Sequence, residues 1–293
     1  MNTTEIRRPT LMVVHAHPDD EASQTGGTLA RYAAAGVRTV LVTCTDGAQG
    51  DAADGLKPGH HHHRPAEVAE RRAHELTMSG VALGLSRIVR LDHADSGLPA
   101  SPDDVDPRAF SRADGEPIVR QLEALMHEYQ PDVVVTYPPN GLSYHPDHVR
   151  THELTMAAFA RLRAVGGFPV RGEAGTRPGR RLPKLYYIAL SVSRLRAVRT
   201  RAEASLGSDV WTPPLEMGID DDDVTTTVDI SGFWHHKLRA LAAHASQSDA
   251  QALLRILSLT GQENPVEEYV RADPPWTGGE RESDLFQGVV RAS

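Results

Sequence analysis

The sequence predicts a mainly parallel α/β fold on three observations. Short apolar runs near residues 10–15, 37–45, 87–92 and 132–137 alternate with stretches whose apolar residues recur at helical spacing, the pattern of βαβ units. The 293 residues and 40% hydrophobic content are ample for a sizeable core. Clusters of chemically active side chains follow two of the apolar runs, at the strand ends where open parallel sheets receive ligands.

Taken in order, Thr10-Leu11-Met12-Val13-Val14 reads as a short buried strand and residues 23–35 as a helix. The strand at 37–45 contains the lone cysteine, Cys44, whose apolar setting predicts a buried structural thiol and no disulfide. Further helices are expected at 66–84, 116–129, 149–164, 192–204 and 233–246, with Pro117 near a helix start where its missing N–H costs nothing. Strands are expected at 87–92, 132–137, 185–190 and 224–230, the later ones being candidates for antiparallel pairing. Stretches 46–64, 93–115 and 165–183, rich in Gly, Pro or charge, read as loops long enough to shape a substrate site. The expected organisation is a single domain over residues 1–293. Its core spans about 8–165, and a smaller C-terminal α/β portion, about 183–293, completes the pocket.

Composition excludes several function classes. The net charge is −8, from 31 Lys plus Arg against 39 Asp plus Glu, and no basic stripe interleaved with aromatics suggests a nucleic-acid groove. No stretch approaches the ~18 apolar residues needed to span a bilayer, and the N-terminus lacks a hydrophobic signal core, so the expectation is a cytoplasmic protein without membrane insertion. A homo-oligomer is compatible with the sequence, which sets no subunit number. His60-His61-His62-His63, flanked by Gly and Pro, reads as a solvated stretch, because consecutive residues seldom converge on one ion. The acidic run at 220–223 lacks the spaced oxygen ligands and glycine of a calcium loop and reads as a solvated turn.

His17 and Asp20 form an H-x-x-D pair directly after the first strand, and Tyr144-His145-Pro146-Asp147-His148 follows the strand at 132–137. Two imidazoles plus one carboxylate, with an open position for water, form the ligand set of hydrolytic zinc sites. The same set suits an iron(II) facial triad. Zinc is preferred because the remaining groups are suited to hydrolysis. Asp19 is placed to take a proton from water, His145 to donate to the oxyanion or the leaving amine, and Asp147 to orient that imidazole.

At Ala16-His17-Pro18-Asp19-Asp20-Glu21 and His145-Pro146-Asp147-His148 the chain resembles the LmbE-like (PIG-L) superfamily of zinc-dependent de-N-acetylases, whose marks are A-H-P-D-D-E and H-P-D-H blocks. The resemblance extends through Asp95-Ser96-Gly97-Leu98-Pro99, Asn140-Gly141, Ala243-His244-Ala245-Ser246-Gln247 and Leu285-Phe286. It implies a Rossmann-like fold, metal ligands His17, Asp20 and His148, Asp19 as general base, and His145 as acid or oxyanion stabiliser.

Within the superfamily these segments look most like the actinobacterial mycothiol branch, which comprises an S-conjugate amidase and an N-acetylglucosaminyl-inositol deacetylase. That likeness implies a small amide substrate on an amino-sugar scaffold, with Arg72, Asp95 and Tyr144 on the substrate side. Two departures stand out. The aromatic of the branch's Gly-Gly-Tyr-x-His segment is displaced by one position to Tyr144, and Gln24 replaces a lysine of the amidases. Both imply an acyl or conjugate end different from that of mycothiol.

Overall fold

The computed structural model describes residues 7–98, 104–170, 179–260 and 263–289; Pro99 and parts of two expected loops, 99–103 and 171–178, lie outside them. Strands β1 (Thr10–His15), β2 (Arg38–Thr45), β3 (Arg87–His93), β4 (Val133–Thr136), β7 (Lys184–Ala189), β8 (Thr226–Asp229) and β9 (Val266–Asp273) form a seven-stranded sheet, and β5 (Phe168–Val170) and β6 (Gly179–Arg181) a hairpin inside the expected loop at 165–183. The large sheet runs β3-β2-β1-β4-β7-β9-β8. Its first five strands pair in parallel; β9 runs antiparallel to both β7 and β8. Within the large sheet antiparallel pairing is thus confined to the two contacts of β9, and the expected strand at 185–190 continues the parallel set.

Eight helices frame the sheet among the described residues: α1 (Asp20–Gln24), α2 (Gly26–Ala34), α3 (Pro65–Leu83), α4 (Gly115–Tyr129), α5 (Pro146–Ala164), α6 (Val192–Leu206), α7 (Trp234–Ala243) and α8 (Ser248–Thr260). Alternating side chains of β1 explain the two-faced core. Leu11 and Val13 join the cluster containing Leu29, Leu83 and Leu241, while Met12 and Val14 join that containing Leu122, Phe159 and Leu162. Helix ends follow local chemistry. Pro65 opens α3, Gly84 closes it at φ 69°, and the Asp114 carboxylate accepts from the Glu116 N–H at the start of α4.

Three differences from the sequence expectation have physical causes. The helix expected at 23–35 is broken at Thr25, whose hydroxyl lies 2.9 Å from His15 Nε2. Strand β9 carries Glu267 and Glu268, which hide the strand pattern but are buried and paired: Glu267 with Lys237 and the N–H groups of Gly27 and Thr28, Glu268 with Ser191 and Arg194. Helix α7 stops at Ala243, so the chain turns His244 inward before α8 begins.

Cys44 is fully buried. His60, His61 and His62 are exposed as expected, whereas His63 is buried with its ring Nε2 2.9 Å from the Gly50 carbonyl oxygen. No described helix is long and apolar enough to cross a membrane.

Strands β3, β2, β1 and β4 are neighbours, and their carboxyl ends lead into Asp95, Gln49, His17 and Tyr137 respectively. The crevice opens beside β1, where the chain reverses its direction of travel across the sheet.

Gly27 on α2 packs against Ile230: a Cβ there would stand 2.7 Å from Ile230 Cβ and 2.4 Å from its Cδ1. Gly27→Ala is expected to destabilise the protein by about 1–3 kcal/mol through overpacking, read as a lower urea midpoint at unchanged slope. An unchanged midpoint would show that the α2 to Ile230 contact yields without cost.

Candidate active site

Directly after β1 the backbone makes a tight reversal in which Asp19 adopts φ 118°, a left-handed value costly for a residue with a Cβ. The reversal is held from several sides. The Asp19 N–H donates to Glu21 Oε2 at 2.9 Å, and Arg72 donates to the Pro18 carbonyl at 2.5 Å, Asp19 Oδ2 at 2.8 Å and the Gly47 carbonyl at 2.9 Å. Burial pushes the Asp19 carboxyl up to about pH 7, against the opposing pull of Arg72.

His17, Asp20 and His148 converge beside this turn. His17 Nδ1 lies 3.2 Å from His148 Nε2, and each of these nitrogens lies 3.4 Å from an Asp20 oxygen. Their partners set the tautomers. His148 Nδ1 donates to the Gly141 carbonyl at 3.0 Å, and His17 Nε2 faces the Asp147 carboxylate at 3.2 Å. In the neutral rings both remaining nitrogens therefore present lone pairs to one point. Nitrogen and oxygen bound to zinc at about 2.0–2.1 Å would stand about 3.3–3.4 Å apart in a tetrahedron. The donor set fits a divalent ion, and electrostatics agree: burial opposes a charged His17, yet Asp95, Asp147 and Asp20 together hold its pKa well above the ordinary value.

Gly141 is required for this geometry. It has φ 65°, and a Cβ there would meet the Val149 nitrogen at 2.7 Å and His148 Cβ at 2.8 Å. Asp20 is fixed by three donors: Tyr137 Oη at 2.6 Å, the His17 N–H at 2.8 Å and Gln24 Nε2 at 3.0 Å. Tyr137 also stacks on His148 with ring centroids 4.2 Å apart.

Several sequence expectations need correction. Asp147 does not orient His145. Its carboxylate is fully buried, accepts from the Ser96 N–H and hydroxyl, and meets His17 Nε2; only its backbone N–H reaches His145, donating to Nδ1 at 3.2 Å. That bond leaves the neutral His145 ring with its N–H on Nε2. Burial and the neighbouring His17 and His148 push its pKa down to about 2.

Arg72 and Asp95 border the cavity but are engaged by protein. Arg72 braces Asp19, and Asp95 accepts from the Gly97 and Gln49 N–H groups and lies 3.6 Å from His17 Nε2. Both residues line the cavity as well as bracing its wall. Tyr144 is 68% exposed at the cavity mouth, with φ 60°. The cavity measures about 1330 Å³, is lined by residues of both portions of the chain, and holds Asp19, His145 and His148 on its wall.

The PIG-L family, described as GlcNAc-PI de-N-acetylase, matches residues 12–159. A protein of Kineococcus radiotolerans named 1D-myo-inositol 2-acetamido-2-deoxy-alpha-D-glucopyranoside deacetylase is 38% identical over 97% of this chain and 84% of its own length. The chain belongs to the PIG-L family. This PIG-L protein is accordingly a deacetylase, a hydrolase of carbon–nitrogen bonds.

Two solved structures resemble it in fold. N,N'-diacetylchitobiose deacetylase from Pyrococcus horikoshii has a TM-score of 0.56 at 22% identity, covering 90% of this chain and 83% of that one. The 4-carboxy-2-hydroxymuconate hydratase of Pseudomonas putida has a TM-score of 0.58 at 21% identity, covering 92% and 99%. A deacetylase and a hydratase on one fold show that these likenesses carry architecture and not chemistry.

Sequence reasoning about this PIG-L deacetylase missed the residues behind the site. Tyr137, Glu21 and His244 are fully buried and Ser96 nearly so, yet they orient groups at the cavity wall. The available signal was a set of polar residues adjoining the motif blocks, Glu21 within the first and Tyr137 and Ser96 at strand exits. His244 Nε2 meets Glu21 Oε1 at 2.7 Å, with both side chains fully buried. The contact outweighs burial in each partner, raising the pKa of His244 and lowering that of Glu21.

Such a pair stabilises above the ordinary carboxylate pKa, and its His244 contribution is lost as pH rises through the raised histidine value. His244→Ala is expected to cost about 3–5 kcal/mol by stranding the Glu21 carboxylate, and to lower turnover by loosening Asp19. Calorimetry at pH 6 checks it, a change in melting temperature under two degrees being the contrary result.

Proposed function

We propose that this chain is a zinc-dependent N-deacetylase acting on an N-acetylglucosamine-type amide. The observation that carries the reading is the pair of imidazole lone pairs on His17 and His148, aimed at one point beside Asp20, with Asp19 and His145 on the adjoining cavity wall. In this reading His17, Asp20 and His148 hold the ion. Zinc supplies a water of pKa about 7 and polarises a carbonyl.

The chain's own groups do the rest. Asp19 accepts a proton from the water and returns it to the leaving nitrogen, a role suited to a carboxyl pushed up to about 7. His145 donates its Nε2–H to the carbonyl oxygen as negative charge grows there, and being neutral it needs no pH window near neutrality. Arg72 and the Glu21 carboxylate keep Asp19 in its strained conformation. Asp147, locked by Ser96, keeps His17 turned toward the ion.

Iron(II) fits the same three ligands, but oxygen chemistry leaves Asp19 and His145 without a task, so zinc is the native ion in this reading. The substrate class follows the name of the Kineococcus relative, in which an acetamido sugar carries an inositol. At Gln24 a neutral amide donates to Asp20 Oδ1 where the amidases place an ammonium. This favours a deacetylase over a mycothiol S-conjugate amidase. The proposal covers the chain as one domain, since both portions line the cavity.

His148→Ala is expected to lose stoichiometric zinc under chelator competition, with an affinity loss exceeding the roughly 10–100-fold of removing a residue that merely backs a ligand. Elemental analysis after dialysis measures it, and full zinc occupancy in that variant contradicts the ligand set.

Asp19→Asn is expected to retain zinc while kcat on N-acetylglucosaminyl-inositol falls by roughly 10²–10⁴. Metal loss or near-normal turnover would reassign the base.

A further inference from the structure

The cavity extends well beyond the metal-binding corner. Its far lobe is walled by Leu195 and Val198 of α6, Trp211 and Met217 of the following segment, and Leu253 and Leu257 one turn apart on α8. Most charged groups in this lobe have protein partners, Glu216 beside Met217 being the exception among the described residues. Glu268 is taken by Ser191 and Arg194, Glu267 by Lys237, and Arg201 by the Thr260 carbonyl and Glu263. The lobe therefore offers apolar contact and few free groups for reading hydroxyls.

The mouth carries the same character. Leu98, Tyr144 and Trp211 are 78%, 68% and 51% exposed, and all three line this one cavity. Apolar side chains gathered around an opening mark a surface that an apolar ligand covers. At about 1330 Å³ the space also exceeds the roughly 300–1,000 Å³ typical of sites for small ligands.

We propose that the substrate carries an apolar tail, alkyl or aryl, which lies in the α6 to α8 lobe while its amide sits at His17, Asp20 and His148. The inference rests on the deacetylase reading and narrows it: the amino sugar bears an apolar group in the lobe, where the substrate named for the Kineococcus relative has a bare inositol. The tail has two chemical sources, a lipophilic group on the sugar's anomeric oxygen or a long acyl chain on its nitrogen. Both would meet the same walls.

The test uses the zinc-loaded protein and two substrate series. One comprises alkyl glycosides of N-acetylglucosamine from methyl to octyl, the other methyl glycosides of glucosamine acylated with two to ten carbons. In one series KM is expected to fall about fourfold per added methylene, the scale of burying a CH₂ group, with kcat little changed. The series that responds identifies the source of the tail. A KM independent of length in both, with turnover of the methyl N-acetyl compound intact, would overturn the apolar lobe while leaving the deacetylase reading standing.

Leu253→Asn and Leu257→Asn are expected to flatten the length dependence without altering turnover of the methyl N-acetyl substrate. Retained length dependence in both variants would place the tail elsewhere. Binding is read independently of catalysis in Asp19→Asn protein. There the longest responsive compound should shift the tryptophan fluorescence, and the shift should fall with Trp211→Phe, Trp234 also lining the cavity. No shift in the Trp211-containing protein counts against the lobe even if turnover is absent.

Discussion

Everything in the catalytic corner depends on a concentration of electron pairs that protein donors do not balance. His17 is surrounded by the carboxylates of Asp20, Asp95 and Asp147, and its Nδ1 faces the unprotonated nitrogen of His148. Each carboxylate accepts backbone or hydroxyl hydrogen bonds on its outer side: Asp20 from Tyr137, Asp95 from Gly97, Asp147 from Ser96. Those bonds fix positions without supplying a full positive charge at the centre. In the reading proposed above, a dication held by His17, Asp20 and His148 would supply that charge.

Rigidity around that point comes from parts of the chain remote in sequence. Glu21 bonds to Ser79 of α3 and His244 beyond α7 as well as to the Asp19 N–H. The loop after β2 is held by Gln247, whose side chain accepts from the Asp51 N–H and donates to its carbonyl, while Glu75 of α3 receives Ser246. The C-terminal portion thus does two jobs. It braces the turn that carries Asp19, and it builds the apolar lobe of the cavity.

The corner and the lobe differ in the physics they use. At the corner, charge and hydrogen-bond direction decide what can occupy the site, so small errors in placement matter and each group is tied down by two or three bonds. In the lobe, shape and apolar area decide, and contacts there tolerate a range of occupants. Reaction type and substrate range can therefore diverge on one scaffold.

The candidate site was legible in the sequence because its parts are local. His17, Asp19 and Asp20 lie within four residues and His145 to His148 within four more, each group following an apolar strand, so adjacency alone brought the chemistry to a sheet edge. The parallel strands and the helices between them were legible for a similar reason, since hydrophobic periodicity is a local signal. Long-range pairing was not. Strand β9 hides in a charged segment because Glu267 and Glu268 find partners on α2, α6 and α7 only after folding. The roles of Arg72, Asp95 and Asp147 likewise depended on which groups met them across tens of residues. By itself the sequence determined which chemically active side chains follow the strands, and the α/β class. Tertiary structure alone decided which nitrogen faces which oxygen, and what lines the rest of the cavity, because both depend on contacts that no local pattern encodes.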